Sequence, residues 1–156
     1  MKSVWRFTNG RELTKLEFIN YFERKVFRTI RKYSLLPKNK IFILKKNNNL
    51  NTIILKQILE TKFQVKYSKT PNISANNLSQ VAEDIFANIT KGNFNYSPKP
   101  SPLINLSDKE IEVYAKIKEI KGNTRKQNKK IQALFKKFLS KNQDLEINIM
   151  KAQKQF

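Results

Sequence analysis

The sequence predicts an α/β domain in which a short parallel sheet is flanked by helices. Its 156 residues, 39% of them hydrophobic, are enough for one domain with a modest core. An apolar strand, a helix and a second β-rich segment follow one another between residues 41 and 68, which is the spacing of a parallel βαβ unit. The remaining chain reads mainly as amphipathic helices separated by polar or proline-rich breaks.

We expect a single unit over residues 1–156, organised in four stretches. Residues 1–36 form a basic amphipathic helix region, and residues 37–92 form a βαβ-like remnant followed by a helix. Residues 93–106 contain prolines at 98, 100 and 102 and predict an extended connector. Residues 107–156 form a C-terminal helical region.

The clearest helix is predicted from Thr14 to Tyr33. Apolar side chains recur on it every fourth residue, at Phe18, Phe22, Val26 and Ile30. Its other side carries a basic set: Arg24, Arg28, Arg31 and Lys32. Such a set is either a solvated face on a packed helix or a surface for phosphates, and the sequence leaves both open.

The central part of the chain predicts the βαβ unit. We expect a strand at Ile41–Leu44, a helix at Asn51–Glu60 and a strand within Phe63–Ser68. A further helix over residues 77–91 should stop at Gly92, a residue suited to a helix C-terminus.

The C-terminal part predicts two helices. Ser107 and Glu110 form a capping-box pattern for a helix that runs to about Ile120. The second follows the Lys-Gly-Asn break, and its expected inward residues are Ile131, Leu134, Phe135, Phe138 and Leu139. Its expected outward residues form the strongest basic surface of the chain and are candidates for RNA binding: Arg125, Lys126, Lys129, Lys130, Lys136 and Lys137.

The net charge of +20 predicts attraction to polyanions, RNA and DNA above all. An alternative is base composition, because 26 lysines against six arginines, with abundant Asn, Ile and Phe, is also what drift in an AT-rich genome produces. Four aromatic residues near predicted loops are candidates for stacking on a base or, alternatively, contacts of the core: Trp5, Phe7, Phe94 and Tyr96.

The residue types that are missing exclude several chemistries. Without cysteine there is no thiolate nucleophile, disulfide, Cys-ligated zinc or ordinary iron–sulfur cluster, and without histidine there is no imidazole acid–base group. No apolar run is long enough for a membrane span and Met1–Gly10 lacks a signal-peptide core, so we expect a soluble, cytoplasmic protein without a membrane partner.

Four separated blocks resemble one family in their order along the chain. They are "FTNGRELTKLEFINYFERKVFRTIRKYSLL", the following strand and turn, "NNLSQVAEDIFANITKGN" and "SPLINLSDKEIEVYAKIKEI". Together they resemble the catalytic subunit of the cytoplasmic tRNA 2-thiolation enzymes, which are PP-loop ATP pyrophosphatases with an adenine nucleotide α-hydrolase-like fold. The resemblance implies a reduced PP-loop domain. It also implies tRNA as a partner, since the family adenylates a wobble uridine with ATP and replaces its oxygen with sulfur.

The resemblance places a vestigial nucleotide-binding loop after the first strand of the βαβ unit. The family has a Ser-Gly-Gly-Lys-Asp-Ser loop there, and the matching positions are Lys46, Asn47, Asn48, Asn49, Leu50 and Asn51. Asparagine tolerates left-handed backbone angles, so we expect the turn to form. We expect the phosphate site to be lost, because side chains fill the space that glycines leave open.

Other departures remove the family's chemistry. Thr14 and Glu17 stand where the family has zinc-ligating cysteines, and Ser79 and Gln80 replace two acids. The segment of the catalytic cysteines and the C-terminal zinc ribbon have no counterpart. We therefore expect no metal and no cofactor.

Three functional interpretations follow from these patterns. In the first, the chain is a non-catalytic member that binds tRNA or pairs with an active thiolation subunit. In the second, another chain completes it as an enzyme subunit. In the third, it is a decayed or non-specific basic RNA-binding protein, whose RNA affinity would vanish with salt.

Overall fold

The structure is a computed structural model that describes residues 2–153. Residue 1 and residues 154–156, the ends of the predicted single unit and of its C-terminal region, lie outside the described part. The chain opens with a small antiparallel hairpin of β1 (Trp5–Arg6) and β2 (Glu12–Leu13), in which Trp5 pairs with Leu13. The sequence did not predict this hairpin, because strands of two residues are too short to show an alternating pattern.

The predicted first helix is α1 (Lys15–Lys32). Thr14 caps it in a reciprocal capping box with Glu17, so two N-terminal amides have partners. The apolar stripe is buried as predicted, with Phe18, Phe22 and Val26 fully covered. This stripe packs on α4 (Asp108–Lys118), where the Phe22 and Tyr114 rings stack with centroids 4.2 Å apart.

The predicted βαβ unit is confirmed. β3 (Ile41–Leu44) and β4 (Gln64–Tyr67) form a parallel two-stranded sheet in which Phe42 pairs with Val65, and α2 (Leu50–Glu60) connects them. Apolar residues of α1, β3, α2 and α4 share the main hydrophobic core. The predicted fold class, a short parallel sheet flanked by helices, is therefore the one observed.

α3 (Leu78–Thr90) begins after its N-cap Asn77 and ends before Gly92, whose φ of 79° is the left-handed conformation that favours glycine. The proline-rich connector then packs into the molecule, because Leu103 and Leu106 are fully buried. The capping box that the sequence predicted at the start of α4 is present between Ser107 and Glu110.

The C-terminal region differs from the prediction in two ways. The expected last helix is followed by another, so the region contains α5 (Lys129–Leu139) and α6 (Leu145–Gln153), and α6 packs mainly on α3. Leu134 and Phe138 were predicted to face inward but are 40% and 53% exposed. Their position at the edge of the apolar stripe of α5 explains the error, since α3 and α6 cover its centre and leave this edge open.

No helix of the described residues is long and apolar enough to cross a membrane.

Candidate nucleic-acid interface and the vestigial loop

The loop between β3 and α2 contains no left-handed backbone. None of the described residues with positive φ lies between 46 and 51, so the role expected for asparagine in that conformation was wrong. Instead, the Asn47 side-chain oxygen accepts a hydrogen bond from the amide of Asn49 at 3.0 Å. A hydrogen bond of this kind, from a side-chain oxygen to the amide two residues later, is the one that asparagine makes in Asx turns.

A second segment of the chain closes the N-terminus of α2. The Leu50 amide donates to the Asn123 carbonyl at 2.8 Å, and the Asn123 amide donates to the Asn48 carbonyl at 2.8 Å. Gly122 makes this approach possible, because a Cβ there would lie 2.9 Å from Cδ1 of Ile53 and 3.2 Å from the Asn48 carbonyl oxygen. Helix N-termini bind phosphates through free amides, and the Leu50 amide is already used within the chain.

Little space remains between this helix terminus and the segment that covers it. A cavity of about 20 Å³ lies there, and its walls include Leu50, Asn51, Asp108 and Arg125. That volume accommodates about one water molecule and is far below the several hundred Å³ of a small-molecule site. The cavity at this helix terminus is therefore too small to hold a nucleotide.

Arg125, predicted as an outward RNA-binding residue, is instead buried in an ion-pair network. Its side chain is 6% exposed and makes paired hydrogen bonds to Glu83 at 2.7 and 3.0 Å and to Asp108 at 2.7 and 2.6 Å. Burial lowers the pKa of Arg125, but the hydrogen bonds and charges of the two carboxylates outweigh it and raise the pKa. The prediction was wrong because Arg125 precedes α5 and the chain turns its side chain inward.

Of the two positions where the sequence resemblance expects acids, Ser79 belongs to the same network, together with the N-cap Asn77. Asn77 donates to Asp108 at 2.7 Å, and the Ser79 hydroxyl accepts the Asp108 amide at 2.9 Å. Glu146 of α6 is buried beside them, and one of its carboxylate oxygens has no partner within the described residues. Burial raises the pKa of Glu146, and a hydrogen bond with Ser79 offsets part of that effect.

A basic groove runs along α1 on the exposed side of the helix. Its volume is about 470 Å³. Its walls combine α1 with the N-terminal hairpin: Phe7, Arg11, Leu13, Glu17, Asn20, Tyr21, Arg24, Lys25 and Arg28. Two of the predicted RNA-binding residues, Arg24 and Arg28, therefore line a concave surface and lie one helical turn apart on it.

Arginines supply most of the free positive charge of the groove. Arg11, Arg24 and Arg28 are exposed, and no ion pair of theirs occurs among residues 2–153. Lys25 differs, because its amine lies 3.7 Å from the Glu110 carboxylate and donates to the Tyr21 hydroxyl at 2.9 Å. Three exposed guanidinium groups make this a surface suited to phosphate.

Two aromatic side chains, Phe7 and Tyr21, line the groove. The rings of Phe7 and Tyr21 meet edge to face with centroids 5.2 Å apart. The Tyr21 hydroxyl donates to Glu110 at 2.6 Å, and burial together with the charge of Glu110 raises the pKa of Tyr21. The ring is thereby fixed in place, and the groove presents aromatic surface next to arginine.

The other predicted RNA-binding residues lie elsewhere on the surface. Arg31 and Lys32 are exposed and continue the basic face of α1 beyond the groove. The exposed lysines of the second set are Lys126, which precedes α5, and Lys129, Lys130, Lys136 and Lys137 on it. Because α5 packs on α3 and α6 whereas α1 packs on α4 and β2, the two basic sets belong to different packing units of the fold.

Comparison with known proteins finds similarity in three-dimensional structure and none in sequence. No protein-family model and no curated protein matches the sequence. This fold is similar to that of a solved tRNA thiolase. The U34-tRNA thiolase NcsA from Methanococcus maripaludis, solved with its [4Fe-4S] cluster, matches with a TM-score of 0.75. The match covers 98% of this chain and 83% of that chain at 12% identity, a level that establishes the fold and leaves function to be argued from the site.

The residues of this chain do not fit the cluster of that thiolase. Iron–sulfur clusters are held by cysteine thiolates, with histidine as an occasional substitute, and this sequence contains neither residue. Within residues 2–153, no group of three or more carboxylates converges to form a metal site either. The match to NcsA is therefore a match of backbone architecture.

Sequence analysis did not identify Arg11 and Tyr21 as residues that line the same groove as Arg24. Arg11 lies in a hairpin that no pattern predicted, and no pattern singled out Tyr21. The i, i+4 spacing of residues 17, 21 and 25 on the face of Arg24 and Arg28 was the available signal.

Proposed function

We propose that this chain is a non-catalytic, tRNA-binding protein of the cytoplasm that acts in wobble-uridine thiolation together with an active subunit. The α1 groove, which is lined by three exposed arginines and two aromatic side chains, is the observation that carries the proposal. Arginine and lysine contacts to phosphates provide most of the affinity of RNA-binding proteins and position the RNA. Aromatic surface next to them suits an unstacked base of a loop.

The dimensions of the groove agree with a single nucleotide unit. A volume of about 470 Å³ lies in the range of small-molecule sites, which are typically some hundreds of Å³. Arg24 and Arg28 would bind neighbouring phosphates, while Arg11 approaches from the hairpin side. The groove thus provides separate places for a phosphate and for a base.

The thiolation part of the proposal is supported by the similar fold, and the need for an active subunit is supported by the absence of cysteine. A U34-tRNA thiolase has a similar fold, and the sequence blocks resemble tRNA 2-thiolation subunits. Sulfur transfer through a protein thiolate requires cysteine, which this sequence lacks, so the proposed partner would supply that chemistry.

The experiment compares an unmodified tRNA that has a wobble uridine with an unrelated RNA of equal length across a salt titration. We expect the purified chain to prefer the tRNA at moderate salt. The Arg24→Ala/Arg28→Ala variant should lose that preference, whereas Lys116→Ala/Lys118→Ala removes the same charge from exposed positions of α4 and should retain it.

Equal binding of both RNAs with a steep decline in salt would contradict specific tRNA recognition and favour the non-specific or decayed protein. A tRNA preference that both double variants retain would place recognition outside the α1 groove. Thiolation of the tRNA by the chain with ATP and a sulfur source, without a second subunit, would overturn the non-catalytic role.

A further inference from the structure

The outer edge of α5 has an apolar strip that the described chain leaves uncovered. Leu134 and Phe138 are 40% and 53% exposed, although Ile131 and Phe135 on the same helix are buried. Phe138 follows Leu134 by four positions, so their side chains lie about one turn apart on one face. Lys130 and Lys137 are exposed on the flank of this strip. We call these four residues the α5 patch.

The patch results from a mismatch between the apolar stripe of α5 and the surface that covers it. Amphipathic helices usually turn the whole of their apolar stripe towards the core. Here Phe135 packs edge to face on Phe86 of α3, with ring centroids 5.5 Å apart, and α6 packs mainly on α3. The remaining contact of α5 with α6 is small, so the Leu134 edge stays in solvent. A single exposed apolar residue is common on protein surfaces. Two exposed apolar residues that are neighbours and lie beside lysines without ion pairs form a candidate interaction surface.

The charge around the patch indicates the chemistry of its occupant. Among the described residues, neither Lys130 nor Lys137 takes part in an ion pair. Both lie on the same side of the Leu134–Phe138 strip, because the helical period of 3.6 residues places positions 130, 134 and 137 on adjacent rows. A partner surface that complements the patch has apolar side chains opposite Leu134 and Phe138. It has carboxylates opposite Lys130 and Lys137.

Other occupants match the patch less well. RNA would use the lysines and the Phe138 ring, but it gains little from the aliphatic Leu134 side chain, since bases stack on aromatic rings and guanidinium planes. A second copy of this chain would bring Lys130 and Lys137 against their own equivalents, and its net charge is also +20. An acidic protein helix satisfies both the apolar strip and the lysines.

We propose that the α5 patch docks an acidic amphipathic helix of a partner protein. Apolar side chains at positions i and i+4 of that helix would pack on Leu134 and Phe138. Carboxylates on its neighbouring face would pair with Lys130 and Lys137. This surface is separate from the α1 groove, so the inference does not depend on RNA binding.

The test is selection from a displayed library of acidic peptides of about 20 residues, long enough to be helical when bound. The full chain is the target, and the Leu134→Gln/Phe138→Gln variant is the counter-target. We expect enriched peptides that share an apolar i, i+4 pair flanked by acids. Synthesised singly, they should bind the variant at least about tenfold more weakly than the unmodified chain.

Charge reversal on two sides of α5 provides the matched control. Lys130→Glu/Lys137→Glu should abolish peptide binding, whereas Lys129→Glu/Lys136→Glu, with the same spacing on the far side of the helix, should retain most of it. The four substituted lysines are exposed, and Leu134 and Phe138 are partly exposed, so none of the variants removes a core side chain. The circular dichroism spectrum of each variant verifies its fold.

Three results would overturn the inference. One is failure to enrich any peptide that prefers the chain over the counter-target, and another is an equal loss of binding in both lysine variants, which would indicate non-specific charge attraction. The third is loss of RNA affinity, measured in parallel, in the Leu134→Gln/Phe138→Gln variant without any effect on peptides, which would assign the patch to RNA. Failure of the tRNA proposal alone would appear as unselective RNA binding with peptide binding intact.

Discussion

The amide of Leu50 donates to the carbonyl of Asn123 at 2.8 Å, which joins the first turn of α2 to a segment more than 70 residues later in the chain. The amide of Asn123 completes the link by donating to Asn48. Asn49, the N-cap of α2, has no side-chain cap hydrogen bond, so this backbone contact takes over part of the capping. The position that would bind a phosphate in a glycine-rich loop is here a structural junction.

Gly122→Ala should destabilise this junction by about 1–2 kcal/mol, because the new Cβ overpacks against Ile53 and the backbone of residues 48 and 50. Urea unfolding measures the loss. The added Ile53→Val change removes the nearest atom and should restore part of the stability. Asn123→Ala is the control, since the contacts described for Asn123 are backbone ones, and it should stay within about 0.5 kcal/mol. An unchanged stability in Gly122→Ala would contradict the close packing.

Arg125→Ala should lower the free energy of unfolding by about 3 kcal/mol, because it leaves the buried Glu83 and the partly buried Asp108 without their counter-charge. Lys126→Ala, at the adjacent exposed position, should change it by less than about 0.5 kcal/mol. Chemical denaturation of both variants measures the difference. Equal stability of the two, combined with weaker RNA binding in Arg125→Ala, would restore the outward role that the sequence predicted.

Arg24→Ala/Arg28→Ala should reduce the salt dependence of RNA binding. Each phosphate contact to a single strand contributes about 0.7 to the slope of log affinity against log salt, so the slope should fall by about 1.4. Fluorescence anisotropy across a salt series measures it. Lys116→Ala/Lys118→Ala should leave the slope nearly unchanged, and an equal decrease in both variants would show that the groove is not the RNA site.

Glu146→Gln should make the protein more stable near neutral pH. Because burial raises the pKa of Glu146 in the folded state, the native protein holds that proton more tightly than the unfolded chain. Stability is therefore lost as pH rises from the unfolded pKa through the raised folded one. The amide carries no charge and so removes this loss, and we expect a gain on the order of 1 kcal/mol at pH 7.

Thermal unfolding of both forms between pH 4 and pH 8 checks this expectation. The difference between the variant and the unmodified protein should be small at the acid end and grow with pH. A constant difference across the range would mean that Glu146 is not the titrating group.

The local patterns of the sequence were sufficient for most of the fold. The every-fourth-residue stripe of α1, the strand–helix–strand spacing and the Ser107–Glu110 capping box each depend on neighbours within a few residues. Such interactions are encoded wherever the pattern occurs, so the elements and their parallel pairing could be predicted. The composition alone likewise excluded thiolate and imidazole chemistry, because the absence of cysteine and histidine is evident without coordinates.

The tertiary structure decided which polar groups are free. Arg125 pairs with Glu83, which is 42 residues away in the sequence, and Leu50 pairs with Asn123, so no local pattern could show that either group was used within the chain. The α1 groove depends on a hairpin too short to have a pattern, and the α5 patch depends on how far α6 covers its neighbour. Burial and charge pairing depend on residues far apart in the sequence. For that reason the proposed binding surfaces could be identified only from the folded structure.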